Sequence, residues 1–113
     1  MKSIQLSTLL KDKAITNIYT GRESGCRCGC NGTYWKPGDK GFARAFNKAK
    51  GLDPVVDIYG WNESASDKAY NEHIQNEFNG RVHAVGQLAP ALGSGAWVDI
   101  CTGNGKTITI YWK

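Results

Sequence analysis

The 113-residue chain has no long apolar run. No stretch approaches the ~18 consecutive apolar residues that mark a membrane-spanning helix. The amino terminus alternates polar and apolar residues, where a signal peptide would have an unbroken apolar segment. We therefore expect a cytoplasmic protein that does not enter a membrane and whose four cysteines stay reduced.

The chain also lacks the motifs of common enzyme classes. It has no metalloprotease or kinase motif. Its two histidines, His73 and His83, lie far along the chain from the cysteine-rich segment, and no Asn or Asp is placed by a motif to orient either imidazole. A histidine beside the apolar stripe of a predicted helix, as His73 is, is more often a packed residue than a catalyst. The sequence therefore predicts a non-enzymatic protein.

Length and charge indicate one domain with an uneven electrostatic field. A chain of this length supports a single hydrophobic core, so we expect residues 1–113 to form one domain. Residues 22–50 contain seven basic and two acidic side chains, a net charge of +5, whereas residues 53–77 contain six acidic and one basic, a net charge of −5. The positive segment can steer an anion to one side of the protein, or the two segments can face each other in the fold or in a dimer.

Periodicity and capping signals predict a mixed fold. The predicted elements are a helix over residues 7–11, a strand over 14–20, a helix that starts near Asp39 and stops at Gly51, a strand over 55–59, a helix over 64–78, and a hairpin of strands 97–102 and 106–112. Residues 21–38 are predicted to be a cysteine- and glycine-rich segment followed by a turn, and residues 81–95 a long connection. This order predicts an α+β fold, in which a small, largely antiparallel sheet with a carboxyl-terminal hairpin packs against two or three helices.

The register of the hairpin follows from its apolar pattern. A three-residue loop over 103–105 sets Val98 opposite Ile110 and gathers the apolar side chains of both strands on one face, which a two-residue turn does not. The same loop gives its last glycine the left-handed position of a G1 bulge. We predict this register, with Asp99 and Cys101 on the opposite face.

Three of the four cysteines fall within five residues, in the sequence Gly25-Cys26-Arg27-Cys28-Gly29-Cys30-Asn31-Gly32. Thiolate is a preferred ligand of zinc. One interpretation is therefore a zinc site with the ligands Cys26, Cys28, Cys30 and Cys101, or with a histidine in place of Cys101. The alternate spacing differs from the Cys-x₂₋₄-Cys of zinc knuckles, which weakens this interpretation. No other cofactor is indicated.

A second interpretation of the cysteine–glycine segment is an anion-binding site. Glycines permit the backbone conformations in which successive N–H groups converge on a phosphate. Guanidinium groups suit phosphate, and aromatic rings stack on bases. Because no Gly-Lys-Ser/Thr closes the segment, binding without hydrolysis is indicated. The predicted ligand-binding residues are Arg22, Gly25, Arg27, Gly29, Asn31, Gly32, Tyr34, Trp35, Arg44 and Lys48.

A third interpretation is structural and is compatible with the second. Small residues such as glycine and cysteine let a strand pass closely beneath an aromatic layer, and a buried cysteine behaves as a small hydrophobe. On this interpretation the segment has a packing role.

The same segment resembles a known signature. Residues 18–21, Ile-Tyr-Thr-Gly, and residues 25–34 are similar to the Tyr-x-Gly and Cys-x-Cys-Gly-Cys-x-Gly-x-Tyr motifs of a family of small uncharacterised phage proteins, and the likeness covers roughly residues 9–46. The resemblance implies a phage accessory protein in the cytoplasm of the bacterial host cell. By analogy, small phage proteins often block a host protein or sequester a signalling nucleotide.

The favoured hypothesis is an anti-defence protein that binds and sequesters an anionic, nucleotide-like signalling ligand and so evades host immunity. The alternative is a cysteine-rich interaction module, stabilised by zinc, that inhibits a host protein or contacts nucleic acid. Four tryptophans and five tyrosines also favour a homo-oligomer, because aromatic residues are enriched in interface cores.

Overall fold

A computed structural model describes residues 2–11, 13–22, 32–58, 71–73, 75–76, 79–87 and 96–112 of the protein. The strands and helices are β1 (Lys2–Gln5), α1 (Leu6–Leu9), β2 (Ile15–Arg22), β3 (Gly32–Trp35), α2 (Lys40–Leu52), β4 (Val55–Ile58), β5 (Val82–Gln87), β6 (Ala96–Thr102) and β7 (Lys106–Trp112). Residues 71–73 and 75–76 are also helical, within the helix predicted over 64–78. In these described ranges, no helix has the length and apolar character that crossing a membrane requires.

The seven strands of the described residues form one sheet, in the order β1-β4-β5-β6-β7-β2-β3. Neighbouring strands are antiparallel, except that β4 and β5 run parallel. A parallel pair needs a crossover connection, and residues 59–81 join β4 to β5. The predicted α+β class is therefore confirmed, but the sheet is larger than the small sheet that the sequence predicts.

The carboxyl-terminal hairpin has the predicted register. Val98 pairs with Ile110, and a three-residue loop joins the two strands. Gly103 and Gly105 in this loop have φ angles of +85° and +78°, which are left-handed values that favour glycine. The apolar pattern and the turn glycines thus select the same pairing.

One face of the sheet carries the main aliphatic core together with α1 and α2. Its buried members are Leu6, Leu9, Leu10, Ile18, Ala45, Ala49, Val56, Ile58, Ala84, Ala96, Val98, Ile100, Ile108, Ile110 and Trp112. Phe42 and Phe46 of α2 pack against this cluster and are partly buried. Full burial of a Leu, Ile or Val side chain contributes about 1.5–3 kcal/mol, so this cluster is the main source of stability.

The opposite face of the sheet is also buried, but it is mostly polar or aromatic. Side chains alternate along a strand, so the residues between the aliphatic positions point to this second face. Six of them are at most 3% exposed: Tyr19, Val85, Asp99, Cys101, Thr107 and Thr109. A buried polar group must find a hydrogen-bond partner, and Asp99 finds its partners in a buried polar cluster on this face.

Helix α2 follows Asp39, as predicted, and ends one residue beyond the predicted Gly51. The Asp39 side chain does not cap the helix; its Oδ2 instead accepts a hydrogen bond from the Lys36 N–H at 2.8 Å, within the preceding turn. At the other end Asp53 has a left-handed φ of 39°. Its Oδ1 accepts a hydrogen bond from the Ser7 N–H at 2.9 Å, so the end of α2 fixes the start of α1.

Three strands lie where the sequence predicts none. β1 precedes α1, β3 lies in the segment predicted as cysteine-rich loop and turn, and β5 lies in the predicted connection over 81–95. In β5, a Cβ atom on Gly86 would lie 3.1 Å from the Trp97 carbonyl oxygen and 3.2 Å from a Val56 methyl group. This strand is specified by close packing between its neighbours, which local propensity does not reveal.

The remaining element boundaries differ by a few residues. The first helix covers Leu6–Leu9 instead of 7–11, and the strand predicted over 14–20 covers Ile15–Arg22. Residues 23–31, 59–70 and 88–95 lie outside the described residues, so the predictions for the cysteine–glycine segment and for the start of the helix over 64–78 stay predictions.

Candidate functional site

A pocket of about 200 Å³ opens beside α2 at one end of the sheet. It is lined by Thr20, Gly21, Trp35, Gly41, Arg44, Ala45, Lys48, Thr102, Lys106, Thr107 and Ile108. These residues come from α2 and from strands β2, β3, β6 and β7. The pocket therefore depends on the tertiary fold, because its walls are far apart along the chain.

Three cationic side chains line this pocket. Arg44 and Lys48 are four residues apart on α2 and therefore share one helix face. Lys106 comes from the start of β7, at the end of the hairpin loop. Within the described part of the chain, none of the three has a carboxylate partner, and no Asp or Glu lines the pocket. An anion entering this pocket would therefore meet positive charge that no described carboxylate neutralises.

The indole of Trp35 forms another part of the wall and is held in place. Its Nε1–H donates a hydrogen bond to the Thr20 Oγ1 at 2.8 Å. The ring lies directly against Gly41, because a Cβ atom there would come within 2.4 Å of two of its carbon atoms. The first turn of α2 thus approaches the ring closely only because Gly41 has no side chain.

Four residues that the sequence predicts as ligand-binding therefore lie at or beside one pocket. Trp35, Arg44 and Lys48 line it. Arg22 is exposed at the end of β2, and its Cα partner in the neighbouring strand is Lys106, which lines the pocket. The predicted residues Gly25, Arg27, Gly29 and Asn31, and the cysteines Cys26, Cys28 and Cys30, lie outside the described residues.

Tyr34 and Gly32 lie elsewhere. Tyr34 follows the alternation of β3 onto the opposite face, where its ring centroid is 5.0 Å from that of Tyr19. Gly32 lies beneath the same Tyr19, and a Cβ atom on Gly32 would come within 2.7 Å of the Tyr19 ring and 2.2 Å of the Thr20 carbonyl oxygen. This close approach agrees with the structural interpretation, in which a glycine lets one strand pass beneath an aromatic ring.

Cys101, the predicted fourth zinc ligand, is fully buried on the polar face. Its Sγ lies 3.3 Å from the carbonyl oxygens of Arg81 and His83. Among the described residues, no group of three or more His, Cys, Asp and Glu side chains is arranged to hold a metal ion. The thiol of Cys101 is therefore part of a hydrogen-bonded interior.

A second polar cluster, here called the histidine network, lies on the same face as Cys101. The Nδ1 atoms of His73 and His83 are 2.9 Å apart. The outer nitrogen of each ring meets a carboxylate, with 3.2 Å from the His73 Nε2 to the Asp99 Oδ2 and 3.2 Å from the His83 Nε2 to the Asp57 Oδ2. His73 is fully buried, whereas the Asp57 side chain is 35% exposed.

Two threonines of β7 complete the buried end of the histidine network. The hydroxyls of Thr107 and Thr109 both donate to the Asp99 Oδ1, the second at 2.8 Å. Asp99 therefore accepts hydrogen bonds on both oxygens, from the sheet and from the helical segment that carries His73. The network ties that segment to the sheet.

Hydrogen bonds at all three contacts of the network require three protons. The contacts join the two rings to each other and to the aspartates, whereas two neutral imidazoles carry only two ring protons. The third proton must be held by an imidazole or by a carboxyl group of the network. The pKa of His83 is lowered by burial and by His73, and Asp57 and Glu72 oppose this only in part.

The sequence does not reveal the histidine network, nor the role of Lys106. His73 and His83 are ten residues apart, and their carboxylates are on β4 and β6. One signal was available, because the predicted hairpin register already sets Asp99 opposite Thr109 on the face away from the core. Its histidine partner depends on the path of the crossover between β4 and β5.

No protein-family model, curated protein or solved structure matches this chain. We therefore infer the function of the protein from the geometry of the pocket and of the histidine network.

Proposed function

We propose that this protein binds an anionic, nucleotide-like ligand in the pocket beside α2 and sequesters it. The observation that carries the proposal is the set of three lining cations without a described carboxylate partner, Arg44, Lys48 and Lys106. Charged groups on a protein surface are normally interspersed with groups of opposite sign. A one-sign cluster in a concave site favours binding of the opposite charge.

The indole beside the cations extends this proposal to a nucleotide. Aromatic rings offer a sequence-tolerant stacking surface to bases, which contributes about 1–3 kcal/mol per base in single-stranded nucleic-acid complexes. The Trp35 ring is already oriented by its hydrogen bond to Thr20 and by its contact with Gly41. A ring that is ordered before binding costs less entropy to use.

The residues around the pocket support holding a ligand more than transforming it. The described lining contains no His, Cys, Asp or Glu, which are the usual acids, bases and nucleophiles of catalysis. Sequestration without turnover would suit a phage accessory protein that acts against a signalling nucleotide of its host, as the resemblance in residues 9–46 implies. An interaction module that inhibits a host protein is the alternative.

Isothermal titration with a panel of linear and cyclic nucleotides tests the proposal. We expect saturable binding, and at least about tenfold weaker binding by Lys48→Gln, because a hydrogen bond to a charged group contributes about 1.5–3 kcal/mol and about 1.4 kcal/mol is tenfold in affinity. Lys50→Gln is the matched control, since Lys50 is on the same helix and has the same charge but does not line the pocket. Absence of binding across the panel would overturn the proposal.

The same titration also tests the alternative in which the protein is an interaction module that contacts nucleic acid. A protein that contacts nucleic acid through many phosphates loses affinity steeply as salt is raised. If a single-stranded oligonucleotide binds far more tightly than every free nucleotide, and with a steep salt slope, the protein is a nucleic-acid-binding module.

A further inference from the structure

The hydrogen-bonding groups of the pocket indicate which ligands it selects. This inference depends on the proposed function, which places the ligand in this pocket. Discrimination among bases needs both donors and acceptors, because base edges present amino groups as well as carbonyl and ring-nitrogen acceptors. In proteins, Asn, Gln, Asp and Glu are the main side chains that accept from base amino groups, and Ser and Thr hydroxyls also do so. None of these four residue types lines the described pocket.

The hydroxyl groups that line the pocket are largely committed within the protein. The Thr102 Oγ1 donates within the hairpin loop, where the Asn104 Oδ1 is 2.6 Å away and the Lys106 carbonyl oxygen is 3.1 Å away. The Thr107 hydroxyl donates to Asp99 on the other face of the sheet. The Thr20 oxygen accepts the indole N–H of Trp35, which also occupies the only polar atom of that ring.

The donors that remain are almost all cationic. Arg44, Lys48 and Lys106 offer eleven N–H groups between them, five from the guanidinium and three from each ammonium. Cationic donors suit phosphate oxygens. Trp35 contributes only its ring. The described wall therefore binds negative charge strongly and offers few groups that distinguish one base from another.

The size of the pocket indicates which part of a nucleotide it holds. Its volume of about 200 Å³ is below the roughly 300–1,000 Å³ of pockets that enclose a drug-sized ligand. A phosphate chain can enter, whereas a whole nucleoside diphosphate would extend beyond the described walls. Three lining cations also match about three negative charges, which a terminal diphosphate carries and a cyclic phosphodiester, with about one charge per phosphate, does not.

We infer that the pocket is a terminal-polyphosphate site that selects its ligands by the number of phosphate charges and not by the base. The ligand class is nucleoside diphosphates and triphosphates, together with inorganic pyrophosphate. A cyclic mononucleotide is expected to be a weak ligand.

The test is isothermal titration of the full chain, without divalent cations and at fixed ionic strength, with AMP, ADP, GDP, UDP, cyclic AMP and inorganic pyrophosphate. We expect ADP to bind about tenfold or more tightly than AMP, because the second phosphate adds charge-assisted hydrogen bonds. ADP, GDP and UDP should agree within about threefold, since no described side chain reads the base. Pyrophosphate should displace ADP.

A substitution pair links this selectivity to the pocket. Lys106→Gln should reduce the preference for ADP over AMP to below about threefold, whereas Lys50→Gln, with the same loss of charge outside the pocket, should keep it. Both lysines are exposed, and circular dichroism verifies that both variants are folded. A preference retained by Lys106→Gln would overturn the inference.

The other outcomes separate the inference from the proposed function. If no nucleotide and no pyrophosphate binds, the proposed function is wrong and the inference is lost with it. If nucleotides bind but one base is preferred by more than about tenfold, or cyclic AMP binds as tightly as ADP, the proposed function stands and the polyphosphate inference is overturned.

Discussion

The pocket beside α2 and the histidine network lie on opposite faces of one sheet, and they treat charge in opposite ways. In the pocket, the exposed Arg44, Lys48 and Lys106 have no carboxylate partner among the described residues. In the histidine network, each imidazole nitrogen of His73 and His83 has a partner within 3.2 Å. The cations of the pocket are therefore available to a ligand, whereas the polar groups of the histidine network bind one another.

This difference teaches how to separate a binding site from a structural cluster in an unfamiliar fold. Buried histidines and aspartates attract attention as candidate catalysts, but here their hydrogen bonds are satisfied within the network. A folded protein departs from local rules of charge pairing mainly where function requires it. The unpaired cations are therefore the stronger indication of function, and the paired histidines the stronger indication of stability.

The largest expected effect is on stability, from Asp99→Ala. The substitution removes the acceptor of His73, Thr107 and Thr109, so three buried polar groups lose this partner. Each buried donor left unsatisfied costs about 1–3 kcal/mol, so we expect a total loss of about 3 kcal/mol or more. Urea unfolding measures this loss, and titration under native conditions is expected to give nucleotide affinity within about twofold of the original protein, because Asp99 faces away from the pocket.

Asp57→Ala is the matched control for this prediction. Asp57 also accepts a hydrogen bond from an imidazole of the network, but its side chain is 35% exposed, so water can replace the lost partner. We expect a loss of about 1 kcal/mol or less. Equal losses for the two aspartates would mean that burial does not decide how the network stabilises the fold.

The next effect concerns the wall of the pocket. Gly41→Ala would push a methyl group into the Trp35 ring, where a Cβ atom lies within 2.4 Å of ring carbons. Such overpacking costs about 1–3 kcal/mol, and displacement of the ring should also weaken nucleotide binding. Both quantities are measured on one preparation, by urea unfolding and by titration.

A glycine ten residues further along the same helix is the control for Gly41. Gly51→Ala meets no atom within 4 Å, and replacing a helical glycine with alanine stabilises by about 0.5–1 kcal/mol. The two substitutions should therefore change stability in opposite directions. If Gly41→Ala is as stabilising as Gly51→Ala, the close contact with the indole does not exist in solution.

A smaller effect is expected from acid, and it should act on the histidine network. The pKa of His83 is lowered from 6.5 by burial and by His73, so the unfolded chain binds this proton more readily than the folded protein. The contribution of His83 to stability is therefore complete above pH 6.5 and is lost as the pH falls below 6.5 toward the lower folded value.

The measurement is the urea midpoint at several pH values between 7.5 and about 5. The midpoint should fall below pH 6.5 in the original protein and fall less steeply in His83→Gln, because the variant lacks this titrating group. Other groups titrate in both proteins, and the difference between the two slopes isolates His83. Parallel slopes would show that His83 does not titrate differently in the folded and unfolded states.

The contrast between the two faces also explains what the sequence can predict. The hairpin register follows from alternation and loop glycines, so Asp99 and Thr109 are correctly set on one face. The bounds of helix α2 follow from its apolar periodicity, although the Asp39 side chain does not cap it, and Arg44 and Lys48, four residues apart, then share one helix face. Each of these predictions depends on residues that are close along the chain or directly paired.

What the sequence does not predict depends on contacts between distant residues. Strand β5 contains a histidine and a glycine within six residues, and its place between β4 and β6 makes it a strand. The sequence therefore predicts neither the position of His83 in the sheet nor its contact with His73. Lys106 is missed for the same reason, because its approach to α2 depends on the order of β7 and β2 in the sheet.

The smallest expected effect on stability comes from Lys48→Gln, and its sign distinguishes the two regions most sharply. Arg44 and Lys48 are like charges four residues apart on one helix, a pairing that destabilises by about 0.2–0.5 kcal/mol. The substitution should therefore raise the free energy of unfolding slightly while it weakens nucleotide binding. Lys50→Gln should lower stability slightly, because Lys50 is in the last turn of α2 and lies 5.5 Å from the centre of the Phe46 ring. A Lys48→Gln variant that loses stability would mean that this cation serves the fold, as the histidines do, and not a ligand.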